Sequence, residues 1–145
     1  MSVCDEISNV FKDKVKCFTD KFGEVWIETG IDSLKDILKY LNEKLRFDHL
    51  STITGYDTGE EIAIIYHLLR FGKGRAEKVN VRVYTNRDNP SVPSITEIYP
   101  SALIYEREVY DLLGVKFEGH PNLKRLLLPE DVPEGFHPLR KDFKL

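Results

Sequence analysis

The sequence is poor in cysteine, which limits the chemistry that the chain can carry. Cys4 and Cys17 are the two cysteines among its 145 residues. Two cysteines cannot build a disulfide framework, and an iron–sulfur cluster is usually held by about four thiolates. We therefore expect neither, and a reduced, cytosolic setting is the default expectation.

Long apolar runs are also missing. The longest run, from Ile62 to Leu69, is interrupted by His67 and is shorter than the ~20 residues that span a bilayer. The first residues include Asp5 and Glu6, whereas a secretory signal has a basic start and an apolar stretch. We therefore expect no signal peptide, and any association with a membrane to come only through partner proteins.

The charges of the chain nearly cancel. The 21 lysines and arginines and the 24 aspartates and glutamates give a net charge of −3. A nucleic-acid-binding domain usually carries a basic patch or stripe, so no nucleic-acid partner is expected. The length, with 41% hydrophobic and 31% charged residues, is typical of one globular domain.

The common motifs of catalysis and cofactor binding are not found. Residues 72–74 read Gly-Lys-Gly between two predicted strands, which favours a hairpin turn over a phosphate-binding loop. His120 and His137 are seventeen residues apart with no cysteine nearby, unlike a structural zinc site. Glu106 and Glu108, two apart on a predicted helix, point to nearly opposite sides. We therefore predict no catalytic, cofactor-binding or metal-binding residue.

Hydrophobic periodicity and turn residues predict the secondary structure. Hairpin-linked strands with separate helices favour the α+β class, here a two-layer α/β sandwich with a mostly antiparallel sheet. The predicted elements are a helix over residues 3–22, a strand over 25–27, a helix capped by Asp32 or Ser33, strands over 49–54, 61–71 and 78–85 with turns over 55–59 and 72–74, a loop over 86–93, and a helix from Pro100 or Ser101 to Gly114.

Residues 114–145 differ from the α+β domain predicted over residues 1–113. They hold four of the seven prolines, which exclude a long helix. Their apolar residues follow neither helical nor strand periodicity, although each buried Leu or Phe is worth about 1.5–3 kcal/mol. We therefore predict an extended C-terminal arm over residues 114–145 that either packs back over the domain or lies on another protein.

Several motifs follow one another in a fixed order in the last third of the chain. They are Glu106-Arg107-Glu108, Val109-Tyr110-Asp111, Leu112-Leu113-Gly114, Gly119-His120-Pro121-Asn122-Leu123, Lys124-Arg125-Leu126-Leu127-Leu128-Pro129 and His137-Pro138-Leu139-Arg140-Lys141-Asp142-Phe143. In order and spacing they resemble the thirty-kilodalton subunit of respiratory complex I, the NADH-quinone oxidoreductase, and its counterparts in membrane-bound nickel–iron hydrogenases.

The resemblance implies a non-catalytic structural subunit, with no activity expected of the chain alone. Such a subunit belongs to the hydrophilic arm of a membrane-bound, ion-translocating oxidoreductase complex, of complex I-like or ferredoxin-linked nickel–iron hydrogenase type. It would dock on the hydrogenase-like large subunit, beside a cluster-carrying small subunit, at the cytoplasmic face of the membrane. It would bind no cofactor itself, while its partners would carry iron–sulfur clusters and, in a hydrogenase-type complex, nickel and iron.

The resemblance also implies which residues meet the partner. They are Glu106, Arg107, Glu108, Asp111, His120, Pro121, Leu123, Arg125, His137, Leu139, Arg140, Lys141, Asp142 and Phe143. The alternative interpretation is a free-standing soluble protein-interaction module.

Overall fold

The computed structural model of the chain describes residues 2–72, 74–121, 123 and 137–141. The elements in chain order are α1 (Val3–Phe11), a 3-10 turn (Lys12–Lys14), β1 (Val15–Thr19), β2 (Val25–Thr29), α2 (Ile31–Glu43), β3 (His49–Asp57), β4 (Glu61–Gly72), β5 (Arg75–Asn86), β6 (Ser91–Pro93), α3 (Ala102–Leu113) and β7 (Lys116–Glu118). The predicted α+β class is confirmed.

Five strands form one sheet in the order β1-β2-β5-β4-β3. Its neighbours are antiparallel except for β2 and β5, which run parallel. A separate pair is made by β6 and β7, also in parallel. The prediction of a mostly antiparallel sheet is therefore confirmed, and β7 joins the chain after residue 114 to the segment before α3.

The helices and one face of the sheet enclose a single core. Alternate residues of β4 point into it, since the side chains on a strand alternate between its two faces. Its fully buried members include four from α2, four from β4 and three from β5: Leu34, Ile37, Leu38, Leu41, Ile62, Ile64, Tyr66, Leu68, Val79, Val81 and Val83. Val109 and Leu113 of α3 belong to the same core, so α3 packs on the sheet as well.

A glycine lets α3 approach the edge strand β3 closely. A Cβ atom on Gly55 would lie 2.8 Å from Leu113 Cδ1 and 3.0 Å from the Ala63 carbonyl oxygen. Both distances are shorter than ordinary van der Waals contacts, so a larger residue would push the helix away. Gly55 therefore sets the spacing between β3 and α3.

The helix predicted over residues 3–22 was wrong beyond Phe11. Residues 15–19 instead form β1, in which Val15 pairs with Thr29 and Cys17 with Ile27. The apolar residues of this stretch fit a spacing of two as well as one of three or four, and pairing with β2 decides between them. Gly23, predicted to end the helix, lies with φ of +82° between β1 and β2.

Three other boundaries also differ from the prediction. Helix α2 begins at Ile31 after the extended Gly30, so the predicted caps Asp32 and Ser33 lie in its first turn. Strand β3 continues to Asp57, and the strand β6 lies within the loop predicted over residues 86–93. Pairing with β4 extends β3, and pairing with β7 forms β6.

The two cysteines are joined as a disulfide between α1 and β1, with Cα atoms 5.4 Å apart. This differs from the expectation of a reduced setting, which rested on the number of cysteines alone. None of the helices in the described ranges is long and apolar enough to cross a membrane.

Candidate docking surface

Glu106 of α3 is buried and bonded to the loop after β6. Its Oε1 accepts a hydrogen bond of 2.7 Å from the Ser94 hydroxyl, and its Oε2 accepts one of 2.8 Å from the Ile95 N–H. Burial raises the pKa of Glu106 to about 7, because desolvation outweighs the two hydrogen bonds that favour the charged form. Glu106 therefore holds the loop over α3.

The Tyr66 side chain of β4 shares the environment of Glu106. Burial raises the pKa of the Tyr66 hydroxyl well above its usual range, and the negative charge of Glu106 raises it further. A buried tyrosine beside a carboxylate stays neutral at ordinary pH. The Glu106 carboxylate and the Tyr66 hydroxyl are therefore two polar groups buried in the interior.

The chain returns to the C-terminal end of α3 at His137. The Nδ1 of His137 lies 3.0 Å from the backbone carbonyl oxygen of Asp111, and because a carbonyl only accepts, Nδ1 carries the proton. The ring also packs edge-on against Tyr110 with centroids 5.9 Å apart. Gly114, with φ of +78°, leaves room for it: a Cβ there would lie 2.8 Å from His137 Cδ2.

Two further contacts extend this attachment to the end of β3. The Leu139 N–H donates to the Leu112 carbonyl at 2.9 Å, and the Lys141 N–H donates to Asp57 Oδ2 at 2.7 Å. At the N-terminal end of α3, Nε2 of the His120 ring lies 2.9 Å from the Leu103 carbonyl oxygen. Parts of the predicted arm are thus fastened to both ends of α3.

Asp57 is the anchor for this part of the chain. It accepts from the Gly59 N–H at 2.8 Å and from Arg87 Nε at 2.8 and 3.0 Å, besides Lys141. Burial alone would raise the pKa of Asp57, but the hydrogen bonds from Arg87, Lys141 and Gly59 outweigh it and lower the pKa to about 2. Asp57 is therefore ionised at any ordinary pH.

An apolar groove runs between β3 and α3 beside this attachment. It has a volume of about 280 Å³ and is lined by Thr52, Ile53, Thr54, Gly55, Glu108, Val109, Leu112, Leu113 and Leu139. Leu139 is 54% exposed, and Ile104 on the first turn of α3 is 53% exposed. We call the groove, which includes Leu139, together with Ile104 the docking face.

The structure gathers the described members of the predicted docking set around α3. Glu106 and Asp111 are buried, Leu139, Pro121 and Lys141 are exposed, and Arg107, Glu108, His120, Leu123, His137 and Arg140 lie between these extremes. Arg125, Asp142 and Phe143 lie outside the described residues. The docking role of the whole set stays a prediction.

Sequence reasoning missed Asp57, Arg87, Ser94 and the exposed Leu103 and Ile104. The Asp-Thr-Gly turn at residues 57–59 was a visible signal for a side chain that bonds its own backbone. Its contacts with Arg87 and Lys141 join residues 30 and 84 positions away, and no local pattern shows those.

The described ranges contain no group of three or more His, Cys, Asp or Glu side chains that could hold a metal ion. The fold and the attached C-terminal residues define a two-layer α+β domain that carries part of its tail along its last helix. The sequence model of the family described as "Respiratory-chain NADH dehydrogenase, 30 Kd subunit" matches residues 27–145. The chain belongs to this family, which confirms the resemblance.

The relatives come from several kinds of redox complex. The chain is 47% identical over 116 residues to an NADH-quinone oxidoreductase subunit of Moorella thermoacetica, covering 79% of this chain and 76% of that one. It is 33% identical over 152 aligned positions to membrane-bound hydrogenase subunit beta of Pyrococcus furiosus, covering 99% and 88%. These relatives are subunits of complex I-like and membrane-bound hydrogenase complexes.

A solved structure gives the same fold over nearly the whole chain. It is that of the membrane-bound sulfane sulfur reductase, an archaeal respiratory membrane complex, of which one chain superposes with a TM-score of 0.84 at 26% identity. The match covers 99% of this chain and 84% of that one.

Proposed function

We propose that the chain is a non-catalytic structural subunit in the hydrophilic arm of a membrane-bound, ion-translocating oxidoreductase complex. It docks on a hydrogenase-like large subunit and supports electron transfer by holding that subunit beside a cluster-carrying small subunit. The complex lies on the cytoplasmic side of the membrane, and its iron–sulfur clusters, with nickel and iron in the hydrogenase type, belong to the partners.

The observation that carries this proposal is the way residues 137–141 are attached to the domain. Three contacts, at Asp111, Leu112 and Asp57, hold their backbone and His137 in place. The same contacts leave Leu139 more than half exposed at the mouth of the groove. The exposed Leu139 is continuous with an apolar groove, and a joined apolar surface of this kind supports a partner contact.

The docking face offers enough apolar area to contribute to binding. Fully burying a Leu or Ile side chain is worth about 1.5–3 kcal/mol. Ile104 and Leu139 are each about half exposed, so covering both is worth roughly 1.5–3 kcal/mol. Glu108 at the groove and the exposed Lys141 add charges at its edge, where they set orientation more than affinity.

The division of labour follows the predicted domain boundaries. Residues 1–113 supply the rigid α+β domain, and residues 114–145 supply the docking arm. The strand β7 and residues 137–141 tie the arm to the domain at two places. An arm fixed at such points loses less conformational entropy on binding than one attached at a single end.

Co-purification tests the proposal directly. When a tagged chain is purified from cells that also produce the partner subunits, it should carry a hydrogenase-like large subunit and a cluster-carrying small subunit with it. Mass spectrometry identifies them. Recovery as a monodisperse monomer without these partners would favour the free-standing interaction module and contradict the proposal.

A matched pair of substitutions tests the docking face. Leu139→Asp places a charge at the groove and should lower recovery of the large subunit at least tenfold. Phe22→Asp changes a 79% exposed residue between β1 and β2, at the opposite edge of the sheet, and should leave recovery unchanged. Equal recovery of the large subunit with both variants would show that the docking face is not part of the interface.

A further inference from the structure

We propose that the Cys4–Cys17 disulfide is a redox-controlled latch that holds helix α1 against the edge strand β1. We define the N-terminal unit as residues 2–19, comprising α1, the 3-10 turn and β1. Reduction of the disulfide releases α1 while the remaining sheet and helices stay folded. This property is independent of the docking function proposed above.

The N-terminal unit is attached to the domain by few contacts. Its strand β1 is the outermost strand of the sheet and pairs with β2 alone. Its helix α1 inserts one fully buried residue, Ile7. Phe11, at the end of α1, contacts the ring of Tyr40 on α2 edge-on, with centroids 5.7 Å apart. The disulfide is the one covalent link between α1 and β1 besides the chain itself.

Helix α1 has little stability of its own. It is nine residues long, and isolated helices shorter than about 12 residues are marginal in water. A capping box between Ser2 and Asp5 supports its start. After its end, Lys12 has φ of +53°, a backbone conformation that side chains rarely adopt. Once the tether is broken, α1 therefore depends mainly on the buried Ile7 and the partly buried Val3 and Phe11.

The part of the chain that defines the family does not include this unit. The family match begins at residue 27, inside β2, so α1 and β1 precede it. The central core residues of α2, β4 and β5 pack on one another. Release of α1 would thus uncover the surface under Ile7 and Phe11 at one margin of the core.

The disulfide is accessible to exchange, since both Cys4 and Cys17 are only partly buried. The reductant is a dithiol. One of its thiolates attacks a sulfur of the disulfide, breaks the S–S bond and forms a mixed disulfide, which its second thiol then resolves. Two electrons and two protons pass to Cys4 and Cys17, and the reductant leaves as a disulfide. A small-molecule disulfide reverses the reaction.

Hydrogen exchange of the full chain tests the latch. The protein is equilibrated either with oxidised glutathione or with dithiothreitol, and peptides are read by mass spectrometry. Because a disulfide stabilises by limiting the open ensemble, reduction should speed amide exchange over residues 3–11 at least tenfold. Exchange over α2, residues 31–43, should change less than twofold.

A double variant provides the matched control. The variant with both Cys4→Ser and Cys17→Ser should exchange like the reduced protein in both buffers. The reduced wild type keeps both cysteine side chains, so it shows that loss of the bond and not the substitutions speeds exchange. Two titratable thiols in the glutathione-treated protein would overturn the proposal, as would equal exchange over residues 3–11 in both states. Faster exchange throughout the chain on reduction would also overturn it, because the bond would then support the whole fold.

Discussion

At the scale of single residues, two buried carboxylates have pKa values shifted in opposite directions: Glu106 in α3 and Asp57 at the end of β3. Burial raises the pKa of Glu106 to about 7, whereas its hydrogen bonds lower the pKa of Asp57 to about 2. The difference arises because Asp57 has the Arg87 guanidinium as a partner, while Glu106 is bonded only by neutral donors in the contacts described above. Each carboxylate should therefore respond to a different range of pH.

Glu106 should make the domain less stable as the pH rises from about 4.5 to about 7. Its pKa is higher in the folded state than in the unfolded chain, so the folded state binds more protons between these values, and the stabilisation present below them is lost. Between pH 5 and pH 7, the free energy of unfolding should fall by about 1–3 kcal/mol more in the wild type than in Glu106→Gln. Denaturant unfolding of both proteins across this range measures it.

His67 acts in the opposite direction and has to be separated from Glu106. Burial lowers the pKa of His67, and the charge of Lys78 lowers it further, so its contribution to stability rises with pH. Since His67 is present in both proteins, the difference between the wild type and Glu106→Gln isolates the carboxylate. Identical slopes in the two proteins would contradict a raised pKa of Glu106.

Asp57 should stabilise the fold at neutral pH and lose this effect only in acid. Its folded pKa lies below the unfolded value of 3.8, so the stabilisation is complete above pH 4 and falls as the pH approaches 2. We expect Asp57→Asn to cost about 1–3 kcal/mol at pH 7. The exposed Glu60→Gln in the same turn is the control, and a similar cost for both would argue against the contacts with Arg87 and Lys141.

At the scale of elements, the C-terminal end of α3 is the site where residues 137–141 attach to the helix. Gly114 ends the helix with a positive φ, and the His137 ring fills the space where a side chain would be. The helix end therefore has two roles, since it stops α3 and positions residues 137–141. A change at this glycine should affect both.

Gly114→Ala should destabilise the domain more than Gly23→Ala. Both glycines have φ near +80°, which costs an alanine about 1–2 kcal/mol. A Cβ at Gly23 meets nothing within 4 Å, whereas one at Gly114 collides with His137, which adds roughly 1–2 kcal/mol. Denaturant unfolding compares the costs, and faster hydrogen exchange over residues 137–141 in Gly114→Ala alone would show detachment. Equal costs and equal exchange would mean that His137 is not held there.

The sequence predicted those elements whose pattern is long and regular. Helix α2 has an apolar period of three to four, β5 alternates, and β4 is a continuous apolar run, and these elements with β3 and α3 were placed to within a few residues. The segment after Phe11 was misassigned, because its apolar spacing fits both periods until its pairing with β2 is known. Glu106 could be singled out from its motif, but not its contacts with Ser94 and Ile95.

At the scale of the whole molecule, we propose a domain over residues 1–113 and a docking arm over residues 114–145. The domain has one core that α1, α2 and α3 share with the sheet. The described residues of the arm touch this domain at β6, at α3 and at Asp57. Val115 and Phe117, at the start of the arm, belong to the core, while the described residues after β7 are attached to α3 and Asp57.

Removal of residues 119–145 is the most direct test of this division. Each chain is co-expressed with the partner subunits, and its incorporation into the complex is measured by quantitative mass spectrometry. The truncated domain should unfold cooperatively, because the core of α2, β4 and β5 remains, and its incorporation should fall below a tenth of that of the full chain. Incorporation equal to that of the full chain would contradict the claim that the arm is the docking element.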